Sequence, residues 1–151
     1  MLRTPQTQET LRTRLTRKMA KVRRFEELEA WQAARAAVQL IYRASSNGEF
    51  SRDFALRDQI RRAAVSMMSN VAEGFSRRSN REFIQFLFMA KASAAEAQSQ
   101  MYVAMDQGYL GHEEFRPLYD QTDLCARQVS ALITYLLGKQ RSKSHQALAT
   151  R

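Results

Sequence analysis

Four side chains have the types that acid–base or metal chemistry needs: Asn70 and Glu73 in one stretch, Glu96 and Gln100 in the next. Two carboxylates held close together act as general acid and base when burial separates their pKa values. The same pair is a candidate set of metal ligands. The rest of the chain completes neither chemistry. Its two histidines, His112 and His145, fall in a loop and in the C-terminal tail, and di-metal bundles need Glu-x-x-His pairs. No glycine-rich phosphate loop, CxxC pair or Ser/His/Asp set occurs either. These polar residues are therefore expected to form a buried network that fixes helix register or subunit pairing. No catalytic residue, metal or cofactor is expected.

Arginines offer a second chemistry. Arg77, Arg78 and Arg81 cluster between two helical stretches, with Arg61 and Arg62 earlier in the chain. A guanidinium group can grip a phosphate with two parallel hydrogen bonds. Arg62, Arg77, Arg78 and Arg81 are accordingly the candidate nucleic-acid-binding residues. The blander alternative is that they are solvated, or paired with Asp58, Glu73 and Glu82. Arg57 and Arg61 project beside Met68 on a second apolar stripe, which assigns them to an oligomer interface. Asn70, Glu73 and Glu96 join them as interface or polar-network residues.

The bulk properties bound these readings. A chain of 151 residues holds about one domain with a sizeable core. With 44% apolar residues, two prolines and five glycines, it favours helices over a turn-rich β protein. No apolar run approaches the roughly 20 residues of a membrane span, and the N-terminus lacks the apolar core of a secretory signal. Cys125 stands alone, so no intrachain disulfide forms and a reducing, cytoplasmic setting is expected. The net charge of +9 is unevenly placed: residues 1–24 carry +7, residues 139–151 carry +4, and residues 25–138 carry −2. The tails are basic; the domain is not.

The elements that must position these residues read as four helices. The first runs from about Phe25 to Ala44, with Phe25, Leu28, Trp31, Ala34, Val38 and Ile41 as its stripe. The second runs from Ser51 or Asp53 to Glu73, with Leu56, Ile60, Ala63, Ala64, Met67 and Val71 on one arc, apolar over more than half its circumference, and Gly74 as a left-handed cap. The third opens on a capping box at Ser79 and Glu82, carries Phe83, Phe86, Leu87, Ala90, Ala94, Ala97 and Met101 as its stripe, and ends near Gly108. Phe88, off that stripe, is expected to be exposed or at an interface. The fourth covers about Glu113 to Leu137, with Leu118, Cys125, Val129, Leu132, Ile133 and Leu136 as its buried face, distorted at Pro117 and closed by Gly138. Short connections make this an all-α, antiparallel up-down-up-down four-helix bundle spanning 25–138. A basic extension, expected to be disordered or loosely helical, precedes it at 1–24, and a flexible basic tail follows at 139–151.

The ordered set Phe25-Glu26-Glu27-Leu28-Glu29-Ala30-Trp31, Asp58 to Ser66, Ser69 to Gly74, Arg77-Arg78-Ser79, Glu82-Phe83, Phe86-Leu87 and Gly108-Tyr109-Leu110 resembles a known family. It is the four-helix bundle proteins encoded in intervening sequences of bacterial 23S ribosomal RNA genes, and the resemblance covers about residues 25–137. Met68 stands where that family usually has proline, and Ala97 where leucine is more usual. The resemblance implies a homo-oligomer, a ring-shaped pentamer, associated with RNA. The architecture is also similar to accessory proteins of diversity-generating retroelements, which bind nucleic acid and a reverse transcriptase.

Two functions follow as expectations. The first is a non-enzymatic, oligomeric nucleic-acid-associated bundle, with RNA favoured over DNA. The second is a protein-interaction scaffold or accessory subunit of a reverse transcriptase.

Overall fold

The computed structural model describes residues 13–149, and among these every regular element is helical. Four long helices dominate: α1 (Glu29–Ala44), α2 (Phe54–Phe75), α3 (Asn80–Asp106) and α4 (His112–Ala149). Short 3-10 turns at Phe25–Glu27 and Phe50–Arg52 precede α1 and α2. Each long helix packs on two others, in the cyclic order α1, α2, α3, α4. No described helix is long and apolar enough to cross a membrane.

The buried faces follow the expected periodicity on three helices. Leu56, Ile60, Ala63, Ala64, Met67 and Val71 of α2 are all buried, as are Leu118, Cys125, Val129, Leu132, Ile133 and Leu136 of α4. On α3 the stripe holds except that Phe86 is only half-buried. The first helix differs. Leu28 adopts an extended conformation (φ −71°, ψ 125°), so Phe25 lies in a separate 3-10 turn. The buried face of α1 is then Ala30, Ala33, Ala34, Ala37 and Ile41, rotated from the expected stripe. Trp31 is left half-buried, meeting Phe25 edge-on at 5.1 Å.

The core forms two clusters stacked along the bundle. One joins the start of α1, the end of α2, the start of α3 and the middle of α4, through Ala30, Val71, Phe83, Leu87, Val129 and Leu132. The other joins Ile41, Ile60, Met101 and Phe115 at the opposite end. Alanine supplies much of both, so the helix backbones approach closely.

The helix ends are set by side chains as well as turns. Asp53 caps α2 by accepting the Leu56 N–H at 3.1 Å, and accepts the Tyr109 hydroxyl at 3.0 Å. That second bond holds the phenol above its ordinary pKa range. Ser79 caps α3 by accepting the Glu82 N–H at 3.2 Å, while its hydroxyl donates to the Glu82 carboxylate at 2.9 Å. Gly108 (φ 77°) ends α3 in a Schellman turn, with Gly108 N–H to Met105 and Tyr109 N–H to Ala104, both at 2.9 Å.

Two expected caps are corrected. Gly74 is not a left-handed cap: it lies inside α2, and among the described residues only Gly48 and Gly108 have positive φ. A Cβ there would stand 2.7 Å from the Phe86 Cβ and 2.8 Å from the Phe83 ring, so Gly74 is required by the contact with α3. Gly138 does not end α4 either. The helix continues through it to Ala149, with the hydroxyls of Ser142 and Ser144 back-bonding to carbonyls four residues earlier at 3.1 Å. Pro117 therefore sits in the second turn of an uninterrupted helix.

The described parts of both tails are structured. Residues 13–19 are helical, and Met19 and Val22 pack against the core. Lys18 pairs with Glu29 across this junction. Residues 141–149 are exposed and extend α4 by ~13 Å. Residues 13–19 thus take the helical form that is one of the two expected for the extension, and residues 139–149 continue α4; residues 1–12 and 150–151 lie outside the described region.

Replacing Gly74 by alanine tests the close contact. Overpacking of this kind costs about 1–3 kcal/mol, against a helix-propensity gain of about 1 kcal/mol. Gly74→Ala should therefore lower stability by up to about 2 kcal/mol in urea unfolding. A stabilised variant would show that α3 is free to move away.

Candidate functional site

The expected polar constellation separates into two parts. At the α2–α3 seam, Asn70 donates to the Ser66 hydroxyl at 3.1 Å and to the Ser66 carbonyl at 2.9 Å. Ser66 in turn meets the Ser93 hydroxyl of α3 at 2.9 Å. Farther along α3, Gln100 donates to Glu96 at 3.3 Å. Glu73 joins neither group. It turns to Arg77, whose guanidinium donates to it at 2.7 Å. The two carboxylates are therefore not brought together, and no group of three metal-ligating side chains occurs among the described residues.

Arg57 and Arg61 are engaged within the chain. Arg61 donates to the buried Ser45 hydroxyl at 2.8 Å and to Ser46 at 3.0 Å, and lies 4.5 Å from the centre of the Tyr42 ring. Ser45 passes the contact on by donating to the Ile41 carbonyl at 2.7 Å. A cation at the end of α1 suits the negative end of its dipole, so Arg61 acts as an inter-helix cap. Arg57 donates to the Ser51 carbonyl at 3.0 Å and pairs with Asp58 at 3.1 Å. Met68 is half-buried in an unbroken α2, against the first cluster.

The candidate phosphate-binding arginines also divide. Arg77, Arg78 and Arg81 are exposed together at the α2–α3 junction. Arg77 pairs with Glu73 and covers the Phe86 ring at 4.6 Å, whereas Arg78 and Arg81 have no ion pair among the described residues. Arg62 is elsewhere. It lies 15 residues earlier on α2, ~22 Å along the axis, in a shallow groove with Tyr42, Asp58 and Val65.

Packing reveals a larger cationic feature. The helical segment 13–19, the start of α1, the α2–α3 junction and the far part of α4 all gather at the end of the bundle that holds the first core cluster. Residues 13–29, 73–82 and 132–149 there carry twelve arginines and lysines against five glutamates. The opposite end, residues 41–58 and 101–118, carries four arginines against six carboxylates. At the basic pole the Glu27 carboxylate is held below its usual range by the N–H of Arg23, then that of Arg24. Along the sequence the tails and Arg77-Arg78 are separate patches. The signal that joins them is helix parity, which puts the first start, the second–third junction and the fourth end on one side.

A second feature lies on the outward face of α3. Phe88 (51% exposed), Met89, Tyr102 and Val103 are exposed large apolar side chains. Ala92, Ala95 and Ser99 stand exposed between them, with Lys91 and Glu96 as the charges among them. Of these, the sequence pattern pointed to Phe88 and Glu96.

Cys125 is a core residue. Its thiol donates to the Ala30 carbonyl across α4 and α1 at 3.5 Å, and burial pushes its pKa up to about 12.

Residues 26–131 match the sequence profile of a family described as 23S rRNA-intervening sequence protein. The fold is similar to that in the crystal structure of a protein with unknown function from the S23 ribosomal protein family, from Bacteroides thetaiotaomicron. The two agree with a TM-score of 0.63 at 20% identity, over 69% of this chain and 97% of that one. A search of curated proteins gives no match.

Arg61→Met should cost about 1–2 kcal/mol in chemical denaturation, because it leaves the end of α1 without its charged donor. No loss would show that Ser45 and Ser46 suffice. For Cys125, the unfolded thiol ionises near pH 8.5 while the folded one stays protonated. Its contribution to stability is thus full below about pH 8.5 and is lost as pH rises towards 12. A thiol reagent at pH 8 should label the unfolded chain and spare the native one.

Proposed function

The chain belongs to the 23S rRNA-intervening sequence protein family, and from that premise we propose that it is a non-enzymatic, self-associating bundle that binds nucleic acid, RNA in particular. The observation that carries this reading is the gathering of twelve basic side chains, from three distant segments, at one pole. Such a field attracts phosphate over several ångströms and is strong enough to draw in a polyanion. A cytoplasmic location accords with the lone, reduced cysteine.

The bundle is proposed to run up-down-up-down with antiparallel neighbours. Supporting this, the start of α1 meets the middle of α4 through Cys125 and Ala30, while the end of α1 shares a cluster with Leu118 near the start of α4. Self-association is assigned to the outward face of α3, where Met89, Tyr102 and Val103 are exposed around small residues. A pentameric ring is the assembly we expect from the family resemblance. The same face supports a second reading, in which it receives a different protein, such as a reverse transcriptase, and the chain serves as an accessory scaffold.

Salt separates the two. Binding of a labelled RNA to the full chain should fall steeply between 50 and 200 mM salt, because each phosphate neutralised contributes about −0.7 to −0.9 to the slope of log affinity against log salt. Undetectable RNA binding at 50 mM salt would overturn the reading and favour the scaffold. Light scattering on the same sample should give about five times the 17.4 kDa chain mass. Met89→Asp with Val103→Asp should reduce that mass while leaving the helical circular dichroism unchanged.

A further inference from the structure

We infer, resting on the nucleic-acid reading above, that the ligand of the basic pole is a paired, double-helical nucleic acid held by its phosphate backbone. Proteins that hold single strands stack successive bases on open aromatic faces. Among the described residues the pole offers no such series. Trp31 has Phe25 against its edge at 5.1 Å and the Arg35 guanidinium 5.8 Å from its centre. Arg77 covers Phe86 at 4.6 Å, and Lys139 covers Tyr135 at 5.1 Å. Cations occupy the rings that bases would need. The exposed rings of Tyr42, Phe54 and Tyr102 belong to the opposite end.

What the pole does present is charge. Arg78, Arg81, Lys139, Arg141 and Lys143 are all exposed, on an end from which α4 projects as a single solvated helix. Charges spread over separate projecting elements match phosphates spread over two strands. A duplex carries one charge per about 1.7 Å of axis, twice the density of one strand. In RNA the wide, shallow minor groove admits contact by shape, through phosphates and 2′-hydroxyls. Phe88 is the competing feature. It is exposed on the same face of α3 as Arg81 and seven residues away, ~10 Å along the helix. One ring without a neighbour stacks one base and builds no track.

The test titrates the full chain with two RNAs of about 20 nucleotides per strand, a perfect duplex and an unstructured oligouridylate, across a salt series. The duplex is expected to bind at least tenfold more tightly. Replacing Arg77, Arg78 and Arg81 together by glutamine should flatten its salt slope by about two to three. Phe88→Leu, which keeps the apolar contact and removes the ring face, should change neither affinity by more than about twofold. Equal or tighter single-strand binding, or a loss of it in Phe88→Leu, would overturn the inference while leaving nucleic-acid binding intact. Failure of both RNAs to bind would remove the underlying reading itself.

Discussion

Everything described here depends on how closely α2 and α3 approach. At one end Gly74 leaves no room for a methyl group beside Phe83 and Phe86. In the middle, Ser66 and Ser93 meet hydroxyl to hydroxyl at 2.9 Å. Toward the other end, Ala63 and Ala64 share a cluster with Ala97 and Met101. Small side chains along the seam place two backbones side by side and turn Arg77, Arg78 and Arg81 outward at the junction. Interiors are packed too densely to absorb a shift there without moving neighbours. The seam sets where the charge goes.

The consequence is a bundle divided electrically along its length. Gathering twelve cations at one pole is unfavourable to folding, because like charges repel. Local pairings offset part of that: Lys18 with Glu29, Arg77 with Glu73, and Arg24 with Glu26. These are exposed pairs, each worth little on its own. A fold that keeps such a repulsive arrangement draws its stability from the two apolar clusters. The face proposed for assembly is a separate surface, the flank of α3. A cyclic assembly through that flank would set equivalent poles at the same height, so that weak contacts multiply.

The pattern of three and four residues was enough to read the helical class, the buried stripes of α2, α3 and α4, and the core position of Cys125. Legibility failed where a residue's meaning depends on what lies across the fold. Gly74 looks like a cap because glycine often ends a helix; only the Phe83 and Phe86 contact shows why it is interior. Leu28 fits a helical stripe by spacing, yet its extended backbone starts α1 one residue later. Arg61 shares a stripe with Met68, but its partner, Ser45, stands at the end of another helix. The basic pole was legible in pieces, since each segment is visibly cationic. Their convergence is a property of topology, and sequence distance conceals it.

The central claim is that the basic pole is the nucleic-acid-binding surface. Photo-crosslinking of a bound RNA duplex, followed by mass spectrometry of the attached peptides, tests it most directly. The account expects attachment within residues 13–29, 73–82 and 132–149. Crosslinks concentrated in residues 41–58 and 101–118, at the opposite end, would contradict it.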